Sequence, residues 1–532
     1  MRHHDVVILG AGMAGLTLAR QLRRRSPSLD IALVEHRQFP VASATHKVGE
    51  STVEIASHYL AEELGLGSHL ESQQLPKFGL RMFLRGESVI RDDLAVYDEI
   101  GASRVLPIPT YQLDRGRFEN FLAADCVADG TRLYDGSTVR DISVQPGKHQ
   151  VRVRSEGTET TLADRFLVDA SGRRAWLRKQ SALGRPARHN NHAVWFRVEG
   201  SLEIDDWGGA AQWQRRCHGD SRRYSTNHFT GPGYWLWLIP LASNATSVGL
   251  VFDPRFVDSQ RVKKHDRLIQ WLATEHPIVA MQLEGRKPLD YHVMENYAVA
   301  SSQVFSSDGW MTSGDSSVFS DPLYSPGGDF IALANGYITE LITGDVKKPE
   351  VYKGYEQLLL SFFTSTLSLY RGQYAGFGNR DLMVAKTLWD YAYYWGVLSK
   401  LYFSGQYTNL EFMSAQHASF SQAATLNSGM QRRFRGVAKK AQRIGGEGRF
   451  FDHHAVELFH SMKMDLLQGR VENAGVALEA NVKTLAGVAD IVQSLLVNSE
   501  TGGVIPELDG IFDELSYSPD SNPDRRPHRA SA

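Results

Sequence analysis

Cysteine is nearly absent: Cys126 and Cys217 are the two in 532 residues, far apart and in no CxxC pair. That excludes a disulfide framework and a cysteine-ligated zinc site, and it fits a reducing compartment. Excess charge of one sign is also missing, with 58 Lys and Arg against 60 Asp and Glu and a net charge of −2. Nothing therefore calls for a nucleic acid or an anionic membrane as partner. No stretch reads as approaching the ~18 apolar residues that span a bilayer. The first apolar run, Val6 to Gly12, is short and follows His3, His4 and Asp5 rather than a basic segment, so it reads as a buried strand and not a signal peptide. The histidines, including His189 with His192 and His453 with His454, show no ligand spacing. They are expected as surface or capping residues, and no metal is expected. The expected setting is the cytoplasm.

What is present is an ordinary globular balance, 42% hydrophobic and 22% charged. The length exceeds what one hydrophobic core supports and implies two or three domains.

The N-terminal "DVVILGAGMAGLTLARQLRRR" is an apolar strand, a glycine turn and a helical pattern. Gly10, Gly12 and Gly15 fit G-x-G-x-x-G: a tight turn, room for a pyrophosphate, and close packing of helix on strand. The helix start offers free N–H groups to phosphate. A second strand, "IALVEH", ends in Glu35, 20 residues after Gly15, where a carboxylate can accept from ribose hydroxyls. Two later segments favour FAD over NAD. "RFLVDASGR" ends a strand in Asp169 and Gly172. "GWMTSGDSSVFSDPLYSPGGDF" runs from a strand through a Gly314–Asp315 turn toward a helix. Asp315 is placed to bond a ribityl hydroxyl, and the helix start can face the flavin pyrimidine, where reduction puts negative charge.

The segments "HKVGESTVE", "LPKFGLRMF" with Lys77, "WLWLIP" (Trp235 to Pro240) and "FSDPLYSPG" (Phe319 to Gly327) together resemble the flavin-dependent halogenases. That family is marked by W-x-W-x-I-P and F-x-x-P-x-x-S-x-G, and both patterns are complete. The resemblance covers roughly the first 345 residues. It implies a flavoprotein oxidoreductase of secondary-metabolite biosynthesis. Reduced FAD, supplied by a separate flavin reductase, would react with oxygen to a flavin hydroperoxide. Halide, chloride or bromide, would attack it to give hypohalous acid. That acid would pass through a tunnel to Lys77, the catalytic residue, which holds or relays the halogen to a small aromatic substrate, free or carrier-tethered.

The expected cofactor-binding set is Gly10, Gly12, Ala14, Gly15, Glu35, Glu50, Ser51, Arg115, Asp315, Pro322, Gly327 and Gly328. The expected tunnel or substrate side is Trp235, Trp237, Phe319, Tyr324 and Ser325. Read from the residues alone, Lys77 is a solvated strand-end lysine; an amine drawn into a low-dielectric interior would instead have a depressed pKa. Lys47 suits the flavin side. Trp235 and Trp237 share one face of a strand; they fit a barrier between flavin and tunnel or plain core packing. Two positions depart from the tryptophan-type pattern. Tyr324 stands where that group has a glutamate before the serine, which points to a phenol, resorcinol or pyrrole. Glu54 stands where the family often has proline. The alternative activity is an FAD-dependent aromatic monooxygenase that hydroxylates.

The expected fold is α/β: a Rossmann-type FAD-binding domain, an inserted antiparallel β-sheet on the substrate side and a C-terminal helical region. The expected division is FAD-binding 1–76, substrate-side strands 77–110, FAD-binding 111–188, substrate-side sheet 189–300, FAD-binding 301–348, helical 349–515 and a polar, disordered tail 516–532. "KTLWDYAYYWGVLSKLYF" places Trp389, Tyr393, Trp395 and Tyr402 on an aromatic-dense helix, expected as core rather than pocket.

Overall fold

The structure is a computed structural model. It describes residues 1–42, 48–87, 93–217, 219, 221–345, 348–468, 473–501, 505–508, 510–512 and 515. Lys47 and the tail from residue 516 lie outside the described residues.

Two large sheets organise the chain. In the first, Arg132–Tyr134, Ile31–Val34, Arg2–Leu9 and Thr158–Asp169 lie side by side in parallel. Thr158–Asp169 is long enough, at 12 residues, to use its far edge twice. Its first half pairs antiparallel with His149–Ser155, and its last three residues pair in parallel with Trp310–Thr312. Ile31–Val34 is buried on both faces, which its unbroken apolar run requires. Helix Met13–Arg25 covers the sheet with Leu16, Leu18, Ala19 and Leu22. Helix Gly327–Thr343 packs on that helix through Asn335, whose amide donates to the Ala14 carbonyl at 3.1 Å and to Thr17 at 3.0 Å.

The second sheet has eight strands, in the order His292–Met294, His192–Glu199, Ala245–Phe252, Tyr234–Leu241, Thr226–Gly231, Leu80–Leu84, Asp98–Gly101 and Phe450–Asp452. Its middle strands are buried on both faces. Trp235, Trp237 and Ile239 face the C-terminal helices, while Leu236 and Leu238 face a second cluster with Trp207 and Trp271. Arg81, on Leu80–Leu84, is fully buried. Glu99 pairs with it and with Arg222. Burial alone would raise the Glu99 carboxyl, but the guanidiniums outweigh it and hold it below its usual range.

The region from 349 onward is mainly helical, with one departure: Phe450–Asp452 leaves the helices to extend the second sheet beside Asp98–Gly101. Helix Arg380–Tyr393 runs through a π-helical turn, Tyr394–Ser399, into Lys400–Phe403. The expectation on apolar runs also changes. Helix Ala474–Glu500 is long and apolar enough to cross a membrane by length and composition, although half of its apolar window is buried. Leu478, Val482, Leu485 and Val492 pack into the helical core, which accounts for that apolar character in another way.

Candidate active site: a dinucleotide cleft and a lysine cavity

A cleft of about 1970 Å³, its open mouth included, runs along the carboxyl ends of the parallel strands. Its lining runs from Glu35 and Arg37 at one end to Asp315 and Gly328 at the other, an extent that suits a dinucleotide. Gly10, Gly12, Ala14, Glu35, Glu50, Ser51, Arg115, Asp315, Pro322, Gly327 and Gly328 all line it. Gly15 does not line it, and a Cβ there would come within 1.9 Å of the Gly10 carbonyl oxygen, so the helix start packs closely on the turn. Gly10 has φ +102°, and a Cβ on it would meet the Ala170 carbonyl at 2.5 Å.

The polar groups fit the cofactor. Glu35 is held by the Ala11 amide at 2.9 Å. The first intrahelical bond of Met13–Arg25 is Leu16 N to Gly12 O, and the Ala14 and Gly15 amides before it have no partner among the described residues. Such orphan donors are what a pyrophosphate takes up. Burial raises the Asp315 carboxyl, and Arg173, Arg115 and Arg178 oppose that. Burial likewise raises Glu50, against Arg197, whose guanidinium donates to it at 2.7 and 2.9 Å.

Beside the cleft lies a second cavity, about 830 Å³ with its open mouth included, lined by Lys77, Tyr324, Glu54, Asp329, Asp390, His453 and a ring of aromatics that includes Tyr391, Tyr394 and Trp395. The Lys77 ammonium is 5% exposed and donates to the Thr52 carbonyl at 2.6 Å. Burial pulls its pKa down to about 7, and Glu54 and Asp329 resist the shift.

One thin wall separates the two spaces. Thr52 lines the cleft and Val53 the cavity; Pro322, Ser325, Gly327 and Gly328 line the cleft, whereas Tyr324, Pro326 and Asp329 line the cavity. Tyr324 and Ser325 both have left-handed backbones, φ 66° and 58°, a strained pairing for residues with a Cβ. The turn puts their side chains on opposite sides of the wall. Tyr324 thus lines the lysine cavity, its ring beside Tyr370 and Tyr391, while Phe319 and Ser325 line the cleft.

Several expectations need correction. Trp235 and Trp237 line the cleft and not the cavity, so the barrier is the 52–53 and 322–329 backbone rather than the tryptophan strand. Trp235 donates to the Tyr374 hydroxyl at 2.8 Å, and Tyr374 in turn donates to Asp321 at 2.6 Å. His189 is no surface residue: it is buried, with Nε2 2.6 Å from the same Asp321. His453 is 1% exposed and lines the lysine cavity. Of the aromatic helix, Trp389 and Tyr402 are core, but Tyr393 and Trp395 reach the cavity. Sequence reading passed over Asp329, although it directly follows the Gly327–Gly328 pair of the motif. Among the described residues no group of three or more acidic, histidine or cysteine side chains could hold a metal.

A Rossmann-type cleft of dinucleotide character thus lies beside a separate, amine-bearing aromatic cavity. Residues 102–375 match the family described as tryptophan halogenase, and residues 8–65 match an NAD(P)-binding Rossmann-like domain. The first match covers more than half of the chain, and the chain belongs to the flavin-dependent halogenases. Among its relatives is flavin-dependent halogenase chlA of Dictyostelium discoideum, 28% identical over 64% of this chain and 60% of its own length. A 1H-pyrrole-2-carbonyl-[peptidyl-carrier protein] brominase of Pseudoalteromonas luteoviolacea is 24% identical over 62% of this chain and 74% of its own. In fold the chain is similar to halogenase PltM, whose crystal structure holds phloroglucinol and FAD, with a TM-score of 0.64 at 16% identity over 96% of this chain and 98% of that one. FAD is the cofactor of this chain.

Proposed function

We propose that the chain chlorinates an electron-rich aromatic ring, a phenol, resorcinol or pyrrole, and that Lys77 presents the electrophilic halogen to it. The observation that carries this reading is the buried amine of Lys77, fixed on the Thr52 carbonyl in a cavity that shares one wall with the FAD cleft. Bound FAD, reduced by a separate flavin reductase and exposed to oxygen, supplies the oxidising equivalents that turn halide into hypohalous acid.

The protein's share is containment and aim. The wall keeps the substrate from the cofactor. An amine with a pKa near 7 is largely neutral just above neutrality, and so can donate a hydrogen bond to hypohalous acid or accept the halogen. Tyr324 lines the cavity at the position where a tryptophan-type enzyme would put a carboxylate, so the ring must bring its own electrons. The ring of Tyr391, Tyr394 and Trp395 suits a flat aromatic guest. Two free, buried cysteines suit a reducing, cytoplasmic setting.

The test is product mass. Full-length protein with reductase, FAD, NADH and chloride or bromide is offered resorcinol, a pyrrole free or on a carrier protein, and tryptophan. A chlorinated resorcinol or pyrrole is expected, and Lys77→Ala should lose it while still binding FAD. A hydroxylated product would make the chain a monooxygenase.

A further inference from the structure

We propose that Glu54 is the base that takes the hydroxyl proton of a phenolic substrate in the lysine cavity, an inference that rests on the phenol reading above. Three carboxyl groups line this cavity among the described residues: Glu54, Asp329 and Asp390. Two are already engaged. Asp390 holds Lys386 at 2.7 Å and the Gln431 amide at 2.8 Å. Asp329 accepts from the Ala56 amide at 3.0 Å on one oxygen and from the Tyr394 hydroxyl at 2.9 Å on the other. Burial also pushes the Asp329 pKa up to about 8, which leaves it largely protonated near neutral pH. Glu54 is different. Its Oε1 accepts from the Trp395 indole N–H at 2.9 Å, and its Oε2 has no protein partner among the described residues.

The support behind Glu54 is rigid. Trp395 sits on the π-helical turn of the long helix, and such turns often occur at functional sites. The buried ammonium of Lys463 lies 3.7 Å from the Trp395 ring centroid, a cation–π contact. The charged and titratable groups that act on Glu54 are Lys77, Lys463, Asp329, Tyr391 and Tyr394. His453 is the other polar group of the cavity. Burial drives its pKa far below the usual range, so it is a poor base. Its imidazole can instead hydrogen-bond a second ring oxygen, which favours a resorcinol-type substrate.

The step balances. Glu54 Oε2 takes the phenolic proton. The phenolate, through a carbon ortho or para to its oxygen, attacks the halogen of hypohalous acid held at Lys77. The carbon–halogen bond forms as the oxygen–halogen bond breaks, and that electron pair leaves on oxygen as hydroxide. Hydroxide takes the proton from Glu54 and departs as water. Glu54 then removes the proton from the halogenated ring carbon, restoring the aromatic phenolate, and returns it to the phenolate oxygen, so that the product leaves as the phenol and Glu54 is again a carboxylate. Hypohalous acid is the oxidant, and no other is needed.

The experiment compares wild type, Glu54→Gln, Glu54→Asp and Lys77→Ala on resorcinol with chloride, reductase, FAD and NADH, across pH. Bound-FAD absorbance reports folding. At neutral pH Glu54→Gln should chlorinate about 100-fold more slowly or worse. The deficit should shrink about tenfold per pH unit as resorcinol ionises unaided. Glu54→Asp should recover part of the rate. A Glu54→Gln rate equal to wild type, or a deficit that does not change with pH, overturns the proposal. If wild type and Lys77→Ala are equally silent on resorcinol, the phenol reading itself has failed; activity in wild type but not in Lys77→Ala leaves that reading standing whatever Glu54 does.

Discussion

Replacing Lys77 by methionine keeps an apolar side chain of similar length and removes the buried amine. The fold lowers the Lys77 pKa from 10.5 to about 7. At about 1.4 kcal/mol per unit, that is a penalty of roughly 5 kcal/mol on the folded state whenever the amine is charged in both states. The sign follows from proton counts. Between about pH 7 and 10.5 the unfolded chain holds a proton that the folded chain has released, so wild-type stability rises with pH there. Below pH 7 both states are protonated and the full penalty stands. Lys77→Met should therefore be more stable by up to roughly 4 kcal/mol at low pH, after about 1 kcal/mol is deducted for the lost bond to the Thr52 carbonyl. Its advantage should grow by about 3 kcal/mol between about pH 9 and pH 6. Urea unfolding of both proteins, followed by tryptophan fluorescence at several pH values, measures this. A stability difference that is constant with pH would mean the amine is not desolvated in the folded protein, and the account of its chemistry would go with it. The same variant should chlorinate nothing, so that a more stable protein is also an inactive one.

Two further outcomes are expected. Gly10→Ala forces a side chain onto a left-handed backbone and into the Ala170 carbonyl at 2.5 Å. It should cost about 2 kcal/mol or more of stability and reduce FAD affinity, as read by equilibrium dialysis, with unchanged affinity ruling out a close approach at this turn. In competition at equal concentration, resorcinol should be chlorinated ahead of free tryptophan, because no carboxylate stands at Tyr324; efficient, regioselective chlorination of tryptophan would refute that reasoning.

The cleft was legible in the sequence because its parts are local. A glycine turn, the carboxylate of Glu35 and an Asp at a strand end are each written within a few residues, and the sheet brings them together at its carboxyl edge. The shared face of Trp235 and Trp237 was likewise readable from strand periodicity. The lysine cavity was legible only through Lys77 and Tyr324. Its other polar groups depend on which distant element covers them. Glu54 stood out only as a departure from proline, and its meaning comes from Trp395, more than 300 residues away. His189 and His453 read as surface residues because a histidine carries no local mark of burial; an aspartate and a strand from the helical region decide it. Phe450–Asp452 is too short for its period to be seen.

The two spaces draw on different stretches of chain. The cleft takes no residue beyond Ile331, while the cavity takes half of its lining from Phe362 onward, as far as His453. If the cleft makes the oxidant and the cavity selects the guest, as proposed above, the two tasks are encoded in partly separate text and meet along residues 52–53 and 322–329. On that reading, a lineage can rewrite the C-terminal helices and change which guest is accepted without relearning how to make the reagent. The wall itself has no such freedom, since every change to it is read by both chambers at once.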